Sequence, residues 1–229
     1  MKRSEVNAAI EWAKKLLKDN NISLPVFADW KCTDWVENAE LTYMIQKTML
    51  GWDVTDYGLN DYQRIGGVLF TVRNGDQKDK SIGVPYAEKY ILLADGQGLP
   101  THFHYSKTED IINRAGGVLA LKLYNAKVDE SIDYDSDVTV YMDGIKHIVK
   151  AGEVVTVPVG CSISLTPFMY HSFWALEGKG DLVVGEVSSV NDDNVDNRFN
   201  PVLPRFGEIE EDEAAIYPLC NEYVELLKV

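Results

Sequence analysis

Apolar residues recur at Val6, Ile10, Ala13 and Leu17, with Glu5, Lys14, Lys15 and Lys18 between them. Steps of three and four place such positions on one face of an α-helix and the charges on the other. Ser4 is placed to cap its start, and Asn20 with Asn21 to end it. A second helical pattern runs from Asp34 to Met49, interrupted by the weaker helix formers Thr42 and Tyr43. Together these predict a helical lead-in over residues 1–66.

From Gly67 the pattern changes to short β-rich runs separated by turn residues, which predicts strands. They are expected near Gly67 to Val72, Tyr86 to Ala94, Gly117 to Tyr124, Val138 to Met142, Ile145 to Val149, Glu153 to Val157, Ser162 to Leu165, His171 to Ala175 and Leu182 to Val187. Asp143-Gly144 marks a hairpin, because both residue types tolerate the positive φ of a type I′ turn. An antiparallel all-β core over 67–189 follows, with a C-terminal extension over 190–229 in the same single domain. That extension is polar from Asn191 to Arg198 and acidic from Glu208 to Glu213, as solvated surface usually is. Tyr217 to Leu227 is expected to pack back as a short helix.

Composition narrows the function classes. A formal charge of −14 opposes binding to a nucleic-acid backbone, which needs clustered Lys and Arg. No apolar run approaches the ~20 residues that span a bilayer. Cys32, Cys161 and Cys220 form no CxxC pair and suit buried thiols in a reducing cytoplasm.

His102 and His104 are two apart, so on a strand both imidazoles project from one face and can bind one ion. Glu109 follows after a stretch long enough for a turn, which would bring all three donors onto one hairpin. His171 and His147 are the remaining histidines. His147 follows the Asp143-Gly144 turn between Lys146 and Lys150 and reads as exposed, whereas His171 lies among Tyr170, Phe173 and Trp174, where an unpaired imidazole would be costly. Metal ligation by His102, His104, Glu109 and His171 explains the set. Imidazole and carboxylate donors suit Mn, Fe, Ni, Co or Zn without choosing among them. Four protein ligands leave two positions of an octahedral shell open, which suits a substrate chelating through neighbouring oxygens.

Gly96, His102, His104, Glu109 and Gly116 form the pattern G-x5-HxH-x4-E-x6-G, which resembles the first cupin motif throughout. The resemblance implies a cupin jelly-roll β-barrel and a second motif bearing a further histidine. Gly152, Pro158 and Gly160 match the opening of that motif, G-x5-PxG; the interval from Gly160 to His171 is longer than usual, and an inserted loop through Thr166-Pro167 would account for it.

More of the chain is similar to D-lyxose isomerases: Trp52 to Gly58, Tyr86 to Lys89, His102 to Arg114, and Gly185 to Ser188 with Asn191 to Phe199. The resemblance covers almost the whole length. It implies interconversion of D-lyxose with D-xylulose, and of D-mannose with D-fructose, with one divalent ion per subunit, Mn in that family. The ion would act as a Lewis acid toward O1 and O2 of the open-chain sugar, stabilising the enediolate left when C2 loses its proton.

A protein base must then carry the proton between C2 and C1. Lys107, beside the metal donors, and Glu186, on an apolar late strand, are the two candidates; both faces of that strand are apolar, so periodicity cannot say where Glu186 points. Lys89, Asp196, Arg198 and Arg205 are candidates for binding sugar hydroxyls. The tryptophans and tyrosines could include a stacking platform, although most are expected in the core. A homodimer is expected, with no nucleic acid or membrane partner. Two other readings share the donor set, an iron-dependent cupin dioxygenase and a non-catalytic sugar-binding cupin.

Overall fold

The computed structural model describes residues 1–190, 192 and 195–227. Asn191, Asp193 and Asn194 of the polar stretch singled out above lie outside the described residues.

Helix α1 (Arg3–Asp19) opens the chain, followed by two short helices, α2 (Cys32–Glu37) and α3 (Tyr43–Lys47). The strands are β1 (Gly51–Thr55), β2 (Gly67–Gly75), β3 (Gly83–Leu93), β4 (His102–His104), β5 (Glu109–Gly116), β6 (Leu119–Ala126), β7 (Ile132–Asp133), β8 (Val138–Met142), β9 (Ile145–Val149), β10 (Val154–Val157), β11 (Ser162–Leu165), β12 (Met169–Ala175), β13 (Leu182–Ser189) and β14 (Asn197–Phe199). One last turn of helix, α4 (Tyr223–Leu226), follows.

The strands form two antiparallel sheets. One has the order β1-β2-β3-β13-β5-β11-β8-β9, the other β10-β6-β12-β4-β14 with β7 on β6. They face each other across one apolar interior, to which Leu69, Ile91, Leu93 and Ile111 contribute from the first sheet and Leu119, Leu121, Leu123 and Phe173 from the second. This is the expected all-β barrel of cupin type. The β8–β9 hairpin follows its turn signal: Asp143 and Gly144 both have positive φ, 49° and 80°.

Outside the larger sheet, Val6, Ala9, Ile10, Ala13 and Leu17 of α1 pack on Trp52, Val54, Val68, Phe70, Leu92 and Val183. The helix begins two residues earlier than Ser4 would set it. Lys2 is the N-cap, its backbone N–H donating to Glu5 Oε2 at 2.7 Å. Ser4 instead donates to Asp212, from its backbone N–H at 2.9 Å and its hydroxyl at 2.7 Å. The acidic segment is exposed, as expected, yet anchored: Arg3 meets Glu211 at 2.6 Å and Asn7 donates to Glu213 at 2.7 Å.

One expectation from helical periodicity needs correction. The pattern from Asp34 to Met49 is not one helix. It breaks at Asn38 and again at Thr42, whose side chains turn back onto the carbonyls of Asp34 and Ala39. Such local hydrogen bonds compete with helix propagation. The short C-terminal helix expected within Tyr217 to Leu227 is present, over Tyr223–Leu226. Tyr217 and Leu219 are spent on the layer beneath α1, and Cys220 N–H donates to the Trp52 carbonyl at 2.7 Å.

Candidate active site

Side chains alternate across a strand. On β4, Phe103 faces outward with Tyr170 and Ile132, so His102 and His104 face the barrel interior. His171 arrives on β12, directly beside His102 in the sheet. Ring centroids lie 4.2 Å apart for His102 and His171, 5.0 Å for His102 and His104, and 5.5 Å for His104 and His171. One ligand nitrogen from each of the three can be chosen so that all lie within 4.8 Å of one another. The long interval from Gly160 to His171 holds a whole strand, β11, and the turn at Thr166 to Phe168.

Glu109 reaches this group by a different route from the one expected. β4 and β5 do not form a hairpin: β4 pairs with β12 and β14, and β5 with β13 and β11. The chain crosses from one sheet to the other between His104 and Glu109. The carboxylate therefore faces the histidines across the barrel, with Oε1 3.4 Å from His104 Nε2 and 3.2 Å from His171 Nε2. A glutamate on a paired neighbouring strand and one across the barrel are equally compatible with an x4 spacing.

The donor set fits a divalent metal. His102 Nδ1 lies 2.8 Å from the Pro100 carbonyl and His171 Nδ1 3.0 Å from that of Met169. A carbonyl only accepts, so both Nδ1 atoms carry a proton, which leaves Nε2 as the lone-pair atom of the neutral ring. Burial, together with the neighbouring His171 and His104, holds the His102 imidazolium well below its ordinary pKa. Burial, together with Lys107, lowers that of His104. Glu109 behaves oppositely. Burial alone would raise its carboxyl, but the Lys107 ammonium and then His104 outweigh it and hold it well below the usual range. Neutral imidazoles and an ionised carboxylate are the forms that ligate metals. His104 Nδ1 and Nε2, His171 Nε2 and Glu109 Oε1 are buried with no hydrogen-bond partner among the described residues. Such orphaned atoms are costly unless something coordinates them.

Lys107 bridges two carboxylates in the same pocket, 2.7 Å from Glu109 Oε2 and 3.0 Å from Glu186 Oε1. The structure decides the direction of Glu186. Leu182 and Val184 of β13 join the barrel core while Val183 joins the layer under α1, so Glu186 faces inward. Lys89, its cross-strand neighbour on β3, lies 3.7 Å from the same Oε1, and Ser188 Oγ donates to it at 3.4 Å. Lys89, Lys107, Glu109 and Glu186 are all 2–4% exposed.

Of the four residues considered for sugar binding, Lys89 and Arg205 line this pocket. Asp196 and Arg198 do not. The Asp196 carboxylate accepts from the backbone N–H and hydroxyl of Ser106, both at 2.8 Å, and from Lys107 N–H at 3.1 Å. It thereby holds the turn that carries Lys107. Arg198 pairs with Phe103 in the β14–β4 register and so faces outward, where it donates to Glu130 Oε2 at 3.1 Å. His147 is exposed on β9.

Tyr57, Phe173, Asn197 and Phe199 also line the pocket. None was singled out by pattern, because Asn197 to Phe199 is a very short strand and Tyr57 lies in a turn. The aromatic surface beside the histidines is Phe199, 5.3 Å from both the His102 and Tyr57 rings. Trp35 and Trp52 are in the helical layers instead.

A family model described as D-lyxose isomerase matches residues 1–223. The D-lyxose/D-mannose isomerase of Escherichia coli O157:H7 is 44% identical over 224 residues, covering 97% of this chain and 98% of that protein. The D-lyxose/D-mannose isomerase of Serratia proteamaculans is 42% identical over 228 residues, covering 99% and 100%. Among solved structures, Geodermatophilus obscurus L-ribose isomerase superposes with a TM-score of 0.57 at 16% identity over 92% of this chain and 98% of its own. Cellulomonas parahominis L-ribose isomerase with L-psicose gives 0.55 at 14% over the same shares. These two share the fold, and the sequence relatives go further: the chain belongs to the D-lyxose isomerase family.

Proposed function

We propose that the protein interconverts D-lyxose with D-xylulose, and D-mannose with D-fructose, at the pocket between the two sheets. The observation that carries this reading is the meeting of two groups in one buried space: the donors His102, His104, His171 and Glu109, and the Lys107–Glu186 pair beside them. Those four residues would hold a divalent ion, manganese in this reading, which would supply Lewis acidity to the open-chain sugar.

Glu186 takes the C2 proton and returns it at C1. Its Oε1 faces two ammonium groups, Lys107 and Lys89, so the carboxylate is fixed in place between them. Lys107 also donates toward the oxygens that gain charge as the proton leaves. Its position depends on Asp196, which holds the backbone of Ser106 and Lys107. Lys89 and Arg205 bind sugar hydroxyls from the pocket wall. In this reading the whole chain, residues 1–229, works as one domain, supported by the ion pair and hydrogen bonds that tie α1 to the acidic segment. A cytoplasmic setting is supported by the thiol state of Cys32, Cys161 and Cys220. No helix is long and apolar enough to cross a membrane. A homodimer is supported by edge strand β9, where Ile145 and Ile148 are both 65% exposed.

The test is ketose formation from D-lyxose, D-mannose, D-xylose and D-ribose by protein stripped with chelator and then given Mn, Fe, Zn or nothing. Turnover of D-lyxose and D-mannose that vanishes on stripping and returns with Mn is expected. Inactivity on every aldose with metal demonstrably bound would overturn the reading.

A further inference from the structure

The inward face of the larger sheet carries an ordered polar row. Glu186 on β13, Lys89 on β3 and Thr71 on β2 are direct cross-strand neighbours. β1 comes next, with Asp53 opposite Leu69, one inward position further along. Adjacent strands are about 4.8 Å apart. A sugar whose C2 lies at Glu186 and whose remaining carbons run along this row would pass Lys89 about one strand spacing away and approach β1 with its far end.

Arg205 stands at that end. It forms part of the wall of the histidine pocket and also of a neighbouring polar cavity lined by Thr71, Asn74 and Asp192. Its backbone is tied to β1, the Thr55 hydroxyl donating to its carbonyl at 3.1 Å. Its guanidinium Nη2 lies 2.6 Å from Asp53 Oδ2. Asp53 is 3% exposed, and neither of its carboxylate oxygens has a hydrogen-bond partner of good geometry among the described residues, so its contact with Arg205 is an ion pair. A buried carboxylate is costly unless it is paired, and the Arg205 guanidinium is the cation that pairs it and is thereby held beside β1.

We propose that Asp53 is a positioning residue that holds Arg205 against the non-reacting end of the aldose, so that the pair sets how tightly the chain beyond C3 is bound. The proposal rests on the isomerase reading above. It places the chemistry at one end of the polar row and recognition of sugar length at the other. Asp53 acts through Arg205 and does not touch the reacting atoms.

Asp53→Asn and Asp53→Glu variants are compared with the unmodified Mn-loaded protein for KM and kcat on D-lyxose and D-mannose. Calorimetry with the non-reacting alditol of D-lyxose, and with the four-carbon alditol of matching C2 and C3 configuration, reads binding apart from turnover. Loss of binding that is uniform between ground and transition states raises KM and spares kcat. Asp53→Asn is therefore expected to raise KM for both sugars about tenfold with kcat within about threefold, and to weaken the five-carbon alditol about as much. The four-carbon alditol should change by less than about twofold, and Asp53→Glu should recover part of the loss.

Equal weakening of both alditols, or a fall in kcat with KM unmoved, would overturn the assignment. Should Asp53→Asn fold poorly because it leaves a buried charge unpaired, the double variant with Arg205→Gln removes both charges. It is expected to match the KM effect of Arg205→Gln alone, and additive losses would count against the pair acting as a unit. Inactivity of the unmodified protein on every aldose defeats the isomerase reading itself. Turnover with an Asp53-insensitive KM defeats only this inference.

Discussion

The two faces of strands β2, β3 and β13 are built from the same backbone and serve opposite ends. Outward, Val68, Phe70, Leu92 and Val183 meet Val6, Ile10 and Leu17 of α1 in a layer closed by apolar contact. Inward, Lys89 and Glu186 sit beside Lys107 and Glu109, four charged side chains each at most 4% exposed. Burying charge is expensive even when it is paired, and a network of this kind is weak evidence for stability. The outward layer supplies apolar burial at about 25 cal/mol per Å² and holds the strands rigid. The inward face can then keep costly groups at fixed distances, as a preorganised site requires.

Perturbing the inward face should abolish chemistry and leave the fold intact. Glu186→Gln, nearly isosteric, is expected to lower kcat on D-lyxose by about a hundredfold to ten-thousandfold, the usual range for an acid–base group. Its thermal midpoint should fall by a few degrees while the protein still folds, because Lys89 and Lys107 lose the carboxylate they share. Steady-state kinetics beside a melt checks both, and a kcat within a few-fold of normal would move the proton transfer to Lys107.

Perturbing the outward face should do the reverse. Ile10→Ala removes a side chain that is fully buried against the sheet and is expected to cost about 2–5 kcal/mol in urea unfolding. The kcat of the folded fraction should change little, because Ile10 touches none of the inward groups. A parallel fall in kcat would mean that α1 packing is read through the sheet by the pocket. The smallest effect is expected at His147, exposed on edge strand β9. His147→Ala should leave stability within about 0.5 kcal/mol and metal content unchanged, measured by unfolding and by elemental analysis. Metal loss there would contradict the choice of His171.

Much of the fold was legible because its signals are local. The α1 stripe, the Asp143-Gly144 turn and strands such as Val138 to Met142 and Ser162 to Leu165 depend on residues within a few positions of one another, and the structure reproduces those strands. The stretch from Asp34 to Met49 misled because Asn38 and Thr42 bond their own backbone, which helical periodicity does not register. β1 was absent from the predicted strands, since Trp52-Asp53-Val54-Thr55 is too short for its alternation to stand out.

By itself the sequence pointed to His102, His104 and His171, which the fold gathers into one buried group that could hold a metal, and to the apolar positions that must be buried together. Only the tertiary structure decided that Glu109 approaches from the opposite sheet, that Glu186 faces inward, that Arg198 faces outward while Arg205 reaches the pocket, and that Asp196 holds the Lys107 turn. Period-two alternation assigns residues to faces but does not say which face is inside when both are apolar, as on β13. That choice belongs to packing, where α1 covers one side of the sheet and leaves the other to the pocket.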